Sequence, residues 1–195
     1  MELFEAIKNR RSIRKYKADP VSDEKINAIL EAGRWAPSWA NTQCWRFVVV
    51  RDPKVRAKIA DTLKKRKLPD GEVPTPAAIA INTVPVIIAV CAEIGKSGTK
   101  PGPGGGGGAY VTDKDDWFMF DTALAVQNMV LAAHAQGLGT VIIGLFDAAQ
   151  AEKAINVPEG YRVVALFPVG VPDQEGKAPP RKELSEIVIK DKWGK

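Results

Sequence analysis

The sequence predicts one α+β domain spanning residues 1–195, and three observations carry that expectation. The chain has 195 residues, one domain's length and enough to bury roughly 70% of its unfolded surface without covalent staples. Three short β-rich runs are separated by helical periodicity rather than by regular strand–helix alternation. A long segment before Gly137 is apolar almost all round, which suits a core or subunit-interface helix. At 45% hydrophobic and 26% charged residues, the composition excludes disorder for most of the chain.

A short amphipathic helix is expected first, before the basic run at residues 10–15. Ser22, Asp23 and Glu24 offer an N-cap and an acidic first turn, and Ile26, Ile29, Leu30 and Gly33 follow at helical spacing. Asp52-Pro53 starts another helix with the stripe Val55, Ile59 and Leu63. Strands are expected at residues 46–50, 86–90 and 162–167. The long helix should run from Asp113 or Lys114 to Gly137, whose tolerance of a left-handed backbone suits the position after a C-cap. A short strand or turn at 138–144 and a helix capped by Asp147 come next. From Pro168 the prolines 168, 172, 179 and 180 exclude helix until about Arg181, so residues 171–195 read as an arm lying over a surface.

Several function classes fall away. Cys44 and Cys91 have no metal-ligand or redox-motif spacing, which suits a reducing cytoplasm. His134 is the only histidine, which argues against a zinc site or a His-based triad. The N-terminus lacks an apolar signal core, and Asp121, Gln127, Asn128 and His134 interrupt the one candidate membrane span. A cytoplasmic location with no membrane partner is expected. The net charge of +5 includes six basic residues among 8–17 and KKRK at 64–67, the latter read as a solvated helix end. Neither block has the interleaved aromatics or surrounding module of a nucleic-acid binder.

Two glycine-rich phrases are decoys. The run at 102–108 fits a dinucleotide fingerprint trivially, but it lies in a loop, expected over about 95–112, rather than directly between strand and helix. Gly95-Lys96-Ser97 lacks the phosphate-loop glycine five residues earlier, where Val90 stands. Two other segments carry more chemistry. In extended backbone Arg10, Ser12 and Arg14 point to one side, with Arg11 adjacent, a set suited to a phosphate and a polyol. Pro37, Ser38, Trp39, Asn41 and Gln43 form a polar loop entering a strand, and its amides suit the edge of a heteroaromatic ring. Alone, the first could be a solvated basic turn and the second could be capping residues.

Together these segments resemble the nitroreductase family of FMN-dependent oxidoreductases. Arg10-Arg-Ser-Ile-Arg14 and Ala36-Pro-Ser-x-x-Asn-x-Gln-x-Trp45 occur in order with Gly137-Leu-Gly-Thr-Val-Ile-Ile-Gly144 and Pro179-Pro-Arg-Lys-x-Leu184. The likeness runs from Leu3 to about Val188. It implies a three-layer α/β/α fold around a mixed, mainly antiparallel sheet, with C-terminal arms exchanged in a homodimer. It further implies that Arg10, Arg11, Ser12, Arg14 and Arg181 hold the FMN phosphate, ribityl chain and pyrimidine edge. Pro37, Ser38 and Asn41, near Trp39 and Gln43, would approach from the other subunit, and Ile142, Ile143 and Gly144 would offer backbone groups near the flavin ring.

The implied reaction is ping-pong: NADH or NADPH delivers hydride to the flavin, and a nitroaromatic, quinone or similar small acceptor takes the electrons. No histidine or acid is demanded, so no catalytic side chain is assigned. Cys44 departs from the family's usual proline, and the polyglycine run replaces a region that helps cover substrate. Reductive dehalogenation, flavin-consuming chemistry and non-catalytic flavin binding are the alternatives on the same scaffold.

Overall fold

The computed structural model describes residues 1–101 and 107–194; the glycines at 102 and 104–106 lie outside them. The elements in chain order are α1 (Leu3–Asn9), α2 (Asp23–Arg34), β1 (Trp45–Val50), α3 (Pro53–Asp61), β2 (Arg66–Leu68), β3 (Gly71–Val73), α4 (Pro76–Thr83), β4 (Val86–Glu93), β5 (Thr99–Pro101), β6 (Gly107–Tyr110), α5 (Phe118–Ala135), β7 (Gly139–Thr140), α6 (Ala148–Ala154), β8 (Tyr161–Gly170) and α7 (Leu184–Ile187). The main sheet has the order β1-β4-β8-β7, with every strand pair antiparallel. An isolated parallel bridge between Ser12 and Thr140 makes it mixed at its β7 edge.

β4 sits in the middle because its sequence is apolar on both faces. Val86 and Ile88 pack toward α2 and α5 with Ile26, Ile29, Met129 and Phe167. Ile87, Ala89 and Cys91 pack toward α3 and α4 with Ile59, Ile81 and Leu166. The result is three layers, as the resemblance implied. α2 and α5 approach closely at Gly33, where an added Cβ would stand 2.8 Å from Met129 Cγ.

The expected caps form: Ser22 Oγ accepts from Lys25 N–H, and Asp52 Oδ1 accepts from Lys54 N–H at 2.7 Å. Gly137 takes φ +74° after α5, and Leu138 N–H closes onto Ala133 C=O. α5 starts at Phe118 rather than at 113 or 114, because Asp115 is left-handed (φ 55°) and Asp116 caps Phe118 N–H at 3.1 Å. KKRK is not a helix end. It leads into the β2–β3 hairpin, whose Pro69-Asp70-Gly71 turn is the overlooked signal. The loop expected at 95–112 is drawn into the β5–β6 hairpin, where Thr99 pairs with Tyr110. Among the described residues no helix is long and apolar enough to cross a membrane.

Candidate functional site

Residues 10–16 form an extended segment stitched to the sheet. Ile13 N–H donates to Thr140 C=O at 2.8 Å, Lys17 N–H to Val171 C=O, and Asp173 N–H to Lys15 C=O. The inward residues Ile13 and Tyr16 anchor this segment, and the Tyr16 hydroxyl donates back to Ile13 C=O. Alternation about Ile13 turns Ser12 and Arg14 to the opposite face, and Arg10 opens onto the same side. They line a cavity of about 390 Å³ with Arg11, Gln174, Glu175, Lys177, Pro179 and Arg181. The arm closes that cavity, and Arg14 N–H donates to Gln174 Oε1. Gln174 and Lys177 went unassigned from sequence; the only hint was their place beside the Pro-Pro-Arg motif.

The cavity is a cation cluster. None of Arg10, Arg14 and Arg181 is in an ion pair among the described residues. Partial burial, then Arg11, then Arg181, hold the Arg10 guanidinium below its ordinary value. Arg11 differs, because its guanidinium donates to the C=O groups of Lys8 and Arg10. A phosphate dianion would neutralise like charges that the fold leaves unpaired, so the donor set fits FMN's phosphate. His134 lines an adjoining cavity with Arg10 and Arg11, and its pKa is lowered by burial and then by those two charges.

The second group sits elsewhere. Ser38 Oγ accepts from Gln43 N–H at 2.9 Å, Asn41 N–H reaches Ser38 C=O, and Thr42 N–H reaches Trp39 C=O. Ala40, Asn41 and Gln43 are all left-handed, at φ 43°, 55° and 48°. Such non-glycine strain persists only where surroundings over-determine it. Pro37, Ala40, Asn41 and Gln43 are exposed, while Trp39 N–H donates to both carboxylate oxygens of buried Asp121. The Trp39 ring lies 5.5 Å from that of Trp117, which meets Phe120 edge-on at 5.0 Å.

Asp121 stands in the first turn of α5 and His134 in its last. Thirteen residues at 1.5 Å each separate the loop from the arginine pocket by about 20 Å along the helix. The third group begins two residues after Thr140, which bridges Ser12, and runs along β8 as far as Leu166. There Ile142 and Gly144 are exposed, whereas Ile143 is buried. Its N–H and C=O both pair with Leu166, at 3.0 and 2.9 Å. The Ile143 amide expected to face the ring is thus occupied by the sheet, and Ile142 and Gly144 are the outward positions.

The sequence and the fold match a known class. The sequence model of the Nitroreductase family covers residues 7–171. A nitroreductase family protein from Clostridium novyi is 31% identical with a TM-score of 0.72, over 100% of this chain and 96% of that one. The NADH dehydrogenase of Thermus thermophilus is 28% identical over 199 residues, 92% of this chain and 91% of its own. The NADPH:FMN oxidoreductase of Vibrio harveyi, solved with NAD+, shares the fold at TM-score 0.79 and 24% identity, over 98% of this chain and 78% of that one. The chain belongs to the nitroreductase family. It is an enzyme, an NAD(P)H oxidoreductase.

Proposed function

We propose that the chain acts as an FMN-dependent NAD(P)H oxidoreductase, one domain over residues 1–195, working as a cytoplasmic homodimer with each flavin held between subunits. The observation that carries this reading is the separation of two complementary half-sites. Arg10, Arg14 and Arg181, in no ion pair among the described residues, lie at one end of α5. The Ser38–Gln43 loop, exposed at Ala40, Asn41 and Gln43, lies at the other end. A two-fold axis that sets each loop against the other copy's pocket completes two sites at once. β1 ends the sheet, and the arm exposes Leu184, Ile187, Val188 and Ile189, which suits exchange of arms across that edge.

Bound FMN supplies a hydride acceptor at N5. The residues of this chain bind and orient it. Arg10 and Arg181 take phosphate oxygens, Ser12 takes the ribityl hydroxyls, and Arg14 offsets negative charge developing on the ring. The partner's Ser38, Asn41 and Gln43 address the ring, with Ile142 and Gly144 beside it. A nitroaromatic or quinone acceptor alternates with the nicotinamide over the same face, bordered by the aromatic cluster of Trp39, Trp117 and Phe120 that accompanies the partner's loop. The test is a visible absorption spectrum of the purified protein, chromatography of the flavin released by heat, and NAD(P)H oxidation with an acceptor panel. About one FMN per subunit, lost in Arg10→Ala and Arg181→Ala, is expected. A colourless protein that takes up no added FMN, or full flavin content in both variants, would reject the reading.

A further inference from the structure

One buried polar group has no part in the binding scheme above. Asp121 is 1% exposed, and no cation faces it among the described ion pairs. Its carboxylate accepts from Trp39 N–H at 3.1 and 3.2 Å, from Ser97 Oγ at 2.6 Å and from Cys44 Sγ at 3.8 Å. The α5 N-terminus adds a favourable dipole. Packing does not require an acid there: the next buried positions on α5 are Thr122, Ala125, Val126 and Met129. Burying a carboxylate is costly unless donors surround it. These donors come from three chain segments: the Trp39 turn, the start of β1 and the loop before β5.

The strained turn lies directly above this carboxylate. Its internal bonds, Gln43 to Ser38 and Thr42 to Trp39, close the turn without orienting it. Two bonds from Trp39 tie its first half to the fold, the backbone N–H to Asp121 and the ring Nε1–H to Thr99 C=O at 3.2 Å, while Arg46 of β1 donates to Gln43 C=O at its far end. The loop before β5 is equally constrained. A Cβ on Gly98 would stand 2.5 Å from Asp115 C=O, and Ser97 is fully buried against Asp121. The same carboxylate therefore ties the ring-binding turn to the hairpin beside it.

We propose that Asp121 is a positioning residue for the flavin ring, holding residues 38–43 in the left-handed turn that presents Ser38, Asn41 and Gln43 to the partner's flavin. The inference rests on the flavin reading above. Its test titrates flavin-stripped, full-length dimer with FMN and with riboflavin, which lacks the phosphate, while thermal unfolding and gel filtration report integrity. Asp121→Asn should weaken both ligands by about tenfold or more, the size of one lost hydrogen bond to a charged group. The riboflavin-to-FMN affinity ratio should stay at its wild-type value, because the phosphate end is untouched. Ser97→Ala should act in the same direction by a smaller factor. Arg10→Ala should instead collapse the ratio. Riboflavin binding within twofold of wild type in Asp121→Asn, or a loss confined to FMN, would overturn the proposal. If Asp121→Asn does not fold, unchanged riboflavin affinity in Ser97→Ala overturns it. Wild-type protein that binds neither flavin would instead reject the flavin reading itself.

Discussion

At the His134 end of α5 the proposed phosphate-binding residues ride on extended backbone bonded to β7 and to the residues that follow β8, and their strength is charge. At the Asp121 end they ride on an exposed turn containing three left-handed residues, and their strength is shape. Extended backbone needs only alternation to place three side chains on one face. The turn needs an external anchor, which a buried carboxylate provides. A charged half-site should therefore respond to salt and to removal of a phosphate from the ligand, whereas a shaped half-site should respond to the backbone.

The largest expected effect is on the charged side. Arg10→Ala or Arg181→Ala should lower FMN affinity roughly ten- to hundredfold, as for one charge-assisted hydrogen bond. Riboflavin affinity should barely move, and the wild-type preference for FMN should shrink with added salt in a fluorescence titration. Gly139→Ala comes next, since its Cβ would stand 2.8 Å from Ile13 Cγ2 and 2.9 Å from Ile13 Cβ. Overpacking of this kind costs about 1–3 kcal/mol, and urea unfolding should show it together with weakened FMN binding.

On the shaped side the sign reverses. Ala40→Gly should relieve the φ of 43° and leave stability unchanged or raised by up to about 1 kcal/mol, the left-handed cost less glycine's extra chain entropy. Thermal unfolding measures the change, and ring binding should weaken as the turn loosens. Cys44 adds a pH dependence. Burial first, then the charges of Asp121 and Asp116, push its thiol up to about 12. The fold favours the neutral thiol, so this contribution is full below the ordinary thiol value and fades as pH rises through about 12. Urea midpoints between pH 8 and 10.5 should fall more steeply in wild type than in Cys44→Ala. Cys91, raised to about 11 by burial and then Glu152, remains as common background. The smallest effect belongs to Glu31→Gln. Its pair with Arg34 is exposed, and no measurable change in unfolding or flavin binding is expected.

Much of the charged half-site was legible. A run with arginines at 10 and 14 around Ser12 announces a one-sided cationic face once extended backbone is assumed, and the Pro-Pro-Arg phrase at 179–181 marks its lid. The three expected strands of the main sheet were legible too, although each is longer than its β-rich center, because pairing carries β4 to Glu93 and β8 to Gly170. The hidden parts depended on contacts far along the chain. Nothing local in Asp121 tells that it meets Trp39, 82 positions away, beyond its being an acid in an apolar helix. Ile143 looked available for a ligand until Leu166 took its amide.

The sequence by itself determined the α+β class, the helix caps at Ser22 and Asp52, and the sign of the charge offered to a ligand. These follow from local periodicity, from side chains bonding the backbone two or three residues away, and from charge that does not depend on folding. Only the tertiary structure decided that the arginines and the Trp39 turn lie at opposite ends of one helix. Their separation is a matter of helix length and sheet order, which no short stretch of sequence encodes.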